Sequence, residues 1–154
     1  EIRLSLVGSE MCIETGEEPS RGSSSASSAK GEEIVAYAEQ FIGTPYVWGG
    51  TNLNTGVDCS GFVYAVFRDF GISLNRNSAS MANNGVAVSK SDLQAGDLVF
   101  FNTGGDSTIS HIGIYMGDGN YIHSTDGAAY GVTITSMSSS YSVNTYVKAR
   151  RVIR

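Results

Sequence analysis

The strongest constraint on the fold is a change in apolar periodicity near residue 97. Before it, two segments (33–41 and 59–70) place apolar residues at helical spacing. After it come short segments rich in Val, Ile, Tyr and Phe, separated by clusters of Gly, Asp and Ser. These predicted strands are 97–102, 111–116, 120–124, 132–135 and 146–152. Helices followed by antiparallel strands predict an α+β domain.

The first 31 residues differ in composition from the rest. Six of the nine residues from Ser20 to Ser28 are serine, and such a stretch buries too little apolar surface to offset its ordering entropy. We therefore expect residues 1–31 to be a tail and a flexible Ser-rich linker, and residues 32–154 to form the folded domain. A linker at this end predicts an additional N-terminal domain in the full-length protein, with any export signal upstream of Glu1.

The charge distribution excludes two classes of partner. The net charge is −5, and most of it lies in the first 33 residues, so the folded part is nearly neutral. It has no basic stripe for nucleic acid and no basic amphipathic helix for a membrane surface. No apolar run approaches the roughly 20 residues that a membrane-spanning helix needs. We expect neither nucleic-acid binding nor membrane insertion.

The two cysteines, Cys12 and Cys59, are too few for a disulfide framework and lack the spacing of a structural zinc site. Cys59 opens the second predicted helix, directly after Asp58, a favourable N-cap. Unpaired backbone N–H groups and the helix dipole would lower the pKa of a thiol there and could stabilise an oxyanion. The alternative is that Cys59 is a small buried apolar residue.

The only two histidines lie on neighbouring predicted strands. His111 begins one strand, His123 lies on the next, and the turn signal at residues 117–120 joins the strands as a hairpin. A catalytic thiol needs a base nearby and a third polar group to orient that base. Cys59, His111 and His123 can supply these three roles. Two alternatives stay open: half-exposed strand histidines without a catalytic role, or a zinc site from one Cys and two His.

Five segments together resemble the signature set of the NlpC/P60 peptidases. In chain order these are PYVWGG (45–50), DCSGFV (58–63), GDLVFF (96–101), SHIGIY (110–115) and YIH (121–123). The similarity covers about residues 32–154 and implies a catalytic domain of papain-like α+β fold, with N-terminal helices packed on an antiparallel sheet. It also implies a secreted or wall-associated bacterial enzyme that hydrolyses peptidoglycan stem peptides, most often between γ-D-glutamyl and a diamino acid, without metal or cofactor.

The resemblance also implies catalytic roles for individual residues. Cys59 matches the family nucleophile, His111 the general base, and His123 the third polar residue. Tyr46 matches a tyrosine that lines the site and assists the oxyanion. Asp58 and Ser60 match positions that, in some members, bind the free amine of an N-terminal L-alanine.

One segment departs from the family pattern. Many members read Arg-Thr-Ser followed by a nearby Gln after the Cys helix, whereas here Arg76-Asn77-Ser78 leads to Met81. This departure makes substrate details inferred from relatives less safe. Two other functions also stay open. One is a CHAP-like amidase or cross-bridge peptidase that uses the same residues in a different cleft, and the other is a catalytically inactive wall-binding module.

Overall fold

The structure, a computed structural model, describes residues 19–104, 108–127 and 129–153, with the backbone alone for residues 19–28. Helices and a six-stranded sheet dominate these ranges. In chain order the elements are α1 (Pro19–Glu39), β1 (Thr51–Asn52), β2 (Gly56–Val57), α2 (Cys59–Arg68), α3 (Ser78–Met81), β3 (Val86–Val88), a 3₁₀ turn (Lys90–Asp92), β4 (Leu98–Phe101), β5 (His111–Tyr115), β6 (Asn120–Thr125), β7 (Gly131–Ser136), α4 (Ser140–Thr145) and β8 (Tyr146–Arg151).

The large sheet has the order β3-β8-β4-β5-β6-β7, and every neighbouring pair in it is antiparallel. β1 and β2 form a separate small hairpin. The predicted turn at residues 117–120 joins β5 to β6, where Met116 N donates to Asn120 O at 2.8 Å. The α+β prediction, with the early helices against an antiparallel sheet, is confirmed.

The sheet has two differently packed faces. The apolar side of α2, with Phe62 and Val66, shares the main core with α1 and with the strand residues Ile112, Ile114 and Ile122. Since successive strand residues point to opposite faces, His111 and His123 point away from this core. Their rings meet Phe101 and Tyr121, with ring centroids 6.0 Å apart for Phe101–His111 and 4.6 Å for Tyr121–His123. The two histidines therefore lie outside the core that α2 shares with the sheet.

Helix α1 begins earlier than predicted, at Pro19 rather than Glu33, so the described part of the Ser-rich segment is helical. Pro19 occupies the first helical position, where a missing N–H costs nothing. At the other end of this segment, Gly31 packs so closely that a Cβ there would lie 1.9 Å from Ala95 O. Residues 1–18, with Cys12, lie outside the described residues. The domain boundary at residue 32 stays a prediction.

Several short elements were not predicted: the β1–β2 hairpin, α3, β3, the 3₁₀ turn and α4. The strands among them have two or three residues and the helices have six or fewer, less than two turns, so no periodic pattern stands out. Over the described ranges, none of the helices has the length and apolar character needed to cross a bilayer.

Candidate active site

Cys59 is the first residue of α2, as predicted. Asp58 caps the helix, and its Oδ1 accepts a hydrogen bond from Gly61 N at 2.6 Å. The thiol lies against the start of β5, with Cys59 Sγ 3.9 Å from Ser110 O. The helix N-terminus therefore holds the sulfur beside the residue that precedes His111.

The two strands that carry the histidines, β5 and β6, separate near His111. β5 and β6 pair at Ile114–Ile122 and Tyr115–Tyr121, and within these described strands the pairing stops before His111. Ser124 Oγ on β6 donates to Val57 O at 2.8 Å, which fixes the segment that leads into α2. Cys59 is thus held where the two histidine-bearing strands diverge.

The two histidines are hydrogen bonded to each other, as their predicted proximity requires. His111 Nε2 and His123 Nδ1 are 2.7 Å apart, and the ring planes meet at 77°. His123 Nε2 lies 2.8 Å from Thr135 Oγ1 on β7. Both imidazoles are buried. His111 Nδ1 is then the ring nitrogen left for proton exchange with a nucleophile.

Burial controls the protonation of the three groups. It raises the pKa of the Cys59 thiol to about 11, and the charge of Asp58 adds to this. Backbone amides of Ser60, Ile112 and Cys59 act in the predicted direction and lower that pKa, but burial outweighs them. Burial also lowers the pKa of His111 to about 4 and that of His123 to about 3. At neutral pH the resting site therefore holds a neutral thiol and neutral imidazoles.

A cleft of about 470 Å³ opens beside the thiol. Its lining includes all three predicted binding residues, Tyr46, Asp58 and Ser60, together with Cys59. The two histidines are not among its lining residues. A substrate in this cleft would meet the sulfur from the open side, with the imidazoles buried.

Arg76 is a cleft residue whose contacts the sequence did not predict. Its Nη1 donates to Ser60 Oγ at 2.8 Å, and its Nη2 lies 3.3 Å from both Asp58 oxygens. Asp58 also accepts from Gly49 N at 2.8 Å, in addition to its cap bond. The carboxylate beside the nucleophile already has a cationic partner. The available signal was the Arg76-Asn77-Ser78 segment, which the sequence analysis identified as a departure from the family pattern without predicting this ion pair.

Tyr46 lines the same cleft as the thiol. Burial is the main reason that the pKa of Tyr46 is raised to about 12, and the charges of Cys59 and Asp58 raise it further. Its ring lies 5.9 Å from that of Tyr130, whose φ of 48° is a strained conformation for a bulky residue. Burial also raises the pKa of Tyr141 to about 12, and the charges of Tyr121, Asp126 and Cys59 add to this. Tyr141 lies on α4, which was not predicted.

The zinc alternative finds no support in this geometry. Across the described ranges, no three His, Cys, Asp or Glu side chains are grouped as metal ligands would be. The nitrogens of His111 and His123 that face each other are used in their mutual hydrogen bond.

A cysteine at a helix N-terminus beside paired histidines, on an α+β fold, is the arrangement of a cysteine peptidase. Comparison with known proteins gives the family directly. The NlpC/P60 family sequence model matches residues 43–151, and the chain belongs to that family.

Two curated relatives and one crystal structure illustrate the similarity. The chain is 38% identical to a γ-D-glutamyl-L-lysine dipeptidyl-peptidase of Bacillus cereus, over 79% of this chain and 36% of that protein. It is 42% identical to the murein DD-endopeptidase MepH of Escherichia coli, over 74% of this chain and 43% of that protein. A crystal structure of an NlpC/P60 family protein from Bacillus cereus aligns with a TM-score of 0.75 and 38% identity, over 80% of this chain and 40% of the other. The chain thus spans less than half of each relative's length.

Proposed function

We propose that this chain carries the catalytic domain, residues 32–154, of a secreted or wall-associated bacterial cysteine endopeptidase. Its substrate is the peptidoglycan stem peptide, and the bond cut is the one between γ-D-glutamyl and the diamino acid. The observation that carries the proposal is Cys59 at the floor of a cleft, with the hydrogen-bonded pair of His111 and His123 buried nearby. Relatives named for peptidoglycan peptide bonds support the substrate class.

The proposed chemistry is acyl transfer. The Cys59 proton passes to His111 as the sulfur attacks the γ-glutamyl carbonyl carbon. The carbonyl oxygen becomes an oxyanion that the backbone N–H of Cys59 stabilises, with Tyr46 at the edge of the cleft. His111 then gives its proton to the departing amine of the diamino acid, which leaves a thioester on Cys59. Water, deprotonated by His111, hydrolyses the thioester and restores the thiol, while His123 keeps His111 oriented.

In this mechanism the proton moves from Cys59 to His111 during the attack on the substrate, not before it. The resting thiol and imidazole are neutral because both are buried, so the charged pair is formed only when the substrate is attacked. Backbone amides near the sulfur already favour the thiolate and would favour the later oxyanion in the same way.

The free amine of L-alanine is the proposed cation-binding feature of the substrate. Asp58, Ser60 and Tyr46 line the cleft together with Cys59. Because Arg76 already pairs with Asp58, a substrate amine in the cleft would share the carboxylate with Arg76 and would not be its only cation. Recognition of a free amine should therefore contribute less than it would at an isolated buried carboxylate.

An additional N-terminal domain in the full-length protein is part of the proposal. The chain covers 36% and 43% of two relatives, which leaves room in such proteins for further domains. Secretion is proposed because the substrate lies outside the cytoplasm.

Digestion of purified wall material, followed by mass spectrometry of the new amino terminus, tests the function. A γ-glutamyl endopeptidase exposes the amine of the diamino acid. A CHAP-like amidase exposes the amine of L-alanine instead, and a cross-bridge peptidase exposes a bridge residue. Sedimentation of the protein with the wall and no new amino terminus would identify a binding module. Any of these last three results overturns the proposed bond.

A further inference from the structure

One large aromatic side chain in the cleft has no part in the proposed chemistry. Trp48 lines the cleft together with Cys59, and it is 86% exposed. The described residues give its indole no hydrogen bond and no ring contact. A wide aromatic surface left open beside a nucleophile is typical of a binding contact, because aromatic side chains contribute large contact areas at few rotatable bonds.

The turn that carries Trp48 is tied to the start of α2. Gly50 N donates to Val47 O at 2.8 Å and Gly49 has a φ of 76°, so Trp48 and Gly49 are the central residues of a type II turn. Gly49 N donates to Asp58 Oδ2 at 2.8 Å, and Asp58 N donates to Gly50 O at 3.2 Å. A ligand that stacks on the indole therefore does not have to order this loop first.

These hydrogen bonds place Trp48 on the Asp58 side of the nucleophile. Asp58 is the proposed contact for the start of the stem peptide, where L-alanine lies. In the intact wall the nitrogen of this L-alanine is not a free amine, because it forms an amide with the lactyl group of a muramic acid sugar. The group that follows L-alanine in that direction, the sugar, would therefore come next to Trp48.

The rest of the cleft lining suits a neutral ligand with hydroxyl and amide groups. Arg76 pairs with Asp58, so the charges of these two cleft residues compensate each other. Further polar side chains in the lining are Asn77, Ser78 and Ser110, which carry an amide and hydroxyls. A pyranose sugar packs its C–H face on an aromatic ring and bonds to polar groups through its hydroxyl and N-acetyl groups.

We propose that Trp48 is a sugar-binding residue whose indole stacks on the muramic acid ring of a stem peptide that is still attached to the glycan. The chain then prefers glycan-linked stem peptides to free ones. This inference rests on the proposed function, because it needs the stem peptide to lie in the cleft. It is compatible with the proposed role of Asp58, since the amide N–H of a glycan-linked L-alanine can still donate to that carboxylate.

Tryptophan fluorescence tests the contact directly. Trp48 is the only tryptophan in the sequence, so the emission of the chain comes from this side chain alone. Folded Cys59→Ala is titrated with a disaccharide tetrapeptide and with the N-acetylated tetrapeptide, each made with L-lysine and with diaminopimelate. Both titrants carry an amide at L-alanine, but only the first carries the sugar. We expect the disaccharide tetrapeptide to shift the emission to shorter wavelength, because stacking removes the indole from water.

Equal shifts with the two titrants, or no shift with the disaccharide tetrapeptide, would overturn the proposal. The first result would mean that the peptide covers the indole. The second would mean that no ligand of this class reaches Trp48.

Kinetics with the same two substrates gives a second readout. Trp48→Ala should lower kcat/KM for the disaccharide tetrapeptide about 10-fold, mainly through KM, and change that for the N-acetylated tetrapeptide by less than about 2-fold. Trp48→Phe should keep part of the preference, because a smaller ring still offers a flat face. General damage to the loop would lower both values, so the ratio of the two substrates is the measurement. An unchanged ratio in folded Trp48→Ala, or a completely lost preference in Trp48→Phe, contradicts stacking.

Val86→Ala is the matched control for loss of an exposed apolar side chain. Val86 is 60% exposed on β3, an edge strand of the large sheet, and is not among the described residues that line the cleft. The ratio should not change in this variant, and a change like that of Trp48→Ala would refute a specific role for Trp48. The proposed function fails separately: a wild type that cuts another bond, while the disaccharide tetrapeptide alone shifts the fluorescence, contradicts the proposed bond and supports the sugar contact.

Discussion

Two Asp–Arg pairs in this domain are built differently. Arg151 binds Asp97 through two hydrogen bonds of 2.8 Å, and the carboxylate is 1% exposed. Arg76 meets Asp58 at 3.3 Å, and its side chain is 39% exposed in the cleft. A dry bidentate pair fixes both partners, whereas a longer, wetter pair can admit a third group. The first pair therefore stabilises the fold, and the second leaves room for a substrate.

The surroundings of the two carboxylates agree with this division. The Asp97 carboxylate accepts a hydrogen bond from Gln94 N at 2.8 Å, and the backbone carbonyl of Asp97 accepts one from Tyr115 N. Asp97 therefore connects the turn before β4 to β5 and, through Arg151, to β8. Asp58 instead holds the amides of Gly49 and Gly61, which border the nucleophile. Substitutions at the two pairs should affect different measurements: stability at Asp97 and activity at the cleft.

The largest effect is expected in the cleft. Cys59→Ala should lower hydrolysis of wall material by more than about 1000-fold, because no other described cleft residue replaces the nucleophile. Its melting temperature should stay close to that of the wild type, since Cys59 is only partly buried at the edge of the core and its contact with Ser110 O is long, at 3.9 Å. Substantial hydrolysis by folded Cys59→Ala would contradict the cysteine-peptidase mechanism.

Much of this site was predictable because its residues lie in elements that a local sequence pattern reveals. Cys59 at a helix start and the two histidines across a Gly-rich turn follow from periodicity and turn chemistry alone, and Asp58 was predicted as the N-cap. The α+β class followed from the same patterns. These are local signals that one stretch of sequence carries by itself.

The unpredicted parts depend on contacts between distant residues. Arg76 reaches Asp58 across 18 positions of sequence, and Thr135 reaches His123 across a strand pairing whose register the sequence does not state. The pKa of Cys59 was predicted from the helix end, but burial by the rest of the domain outweighs that local effect. The helical Ser-rich segment ends in a close contact with Ala95, which composition cannot reveal.

Removal of the buried carboxylate should give the opposite result from Cys59→Ala. Asp97→Ala leaves Arg151 without its bidentate partner and should lower the free energy of unfolding by about 3 kcal/mol. Denaturant unfolding measures this. At a temperature where the variant is folded, its kcat/KM should match the wild type. A loss of kcat/KM with unchanged stability would place Asp97 in the active site and break the comparison.

Acid should also separate the two regions, because the two buried histidines belong to the candidate active site and not to the Asp97–Arg151 pair. Their pKa values are lowered to about 4 and 3, so the folded state keeps them neutral while the unfolded chain takes up protons below its ordinary pKa of 6.5. Stability is therefore retained above pH 6.5 and lost as the pH falls towards 4, by on the order of 2 kcal/mol for each of the two histidines at pH 5.

Unfolding curves at pH 7 and pH 5 check this prediction. His123→Gln removes one titrating group and should reduce the difference between the two curves. An unchanged difference in the folded variant would mean that groups other than the histidines cause the acid dependence.

The smallest effect is expected from acetylation of the substrate amine. With the wild type, kcat/KM for a free stem tetrapeptide should fall on N-acetylation by about 1 kcal/mol or less, since Arg76 continues to neutralise Asp58. In Arg76→Met the amine becomes the cation for that buried carboxylate, so the same acetylation should cost about 2 kcal/mol or more. Arg68→Met is the control, because Arg68 pairs with Asp69 at the other end of α2 and is half exposed. If acetylation has no effect on any of the three proteins, Asp58 only caps the helix, and the enzyme acts on polymeric wall without reading the amine.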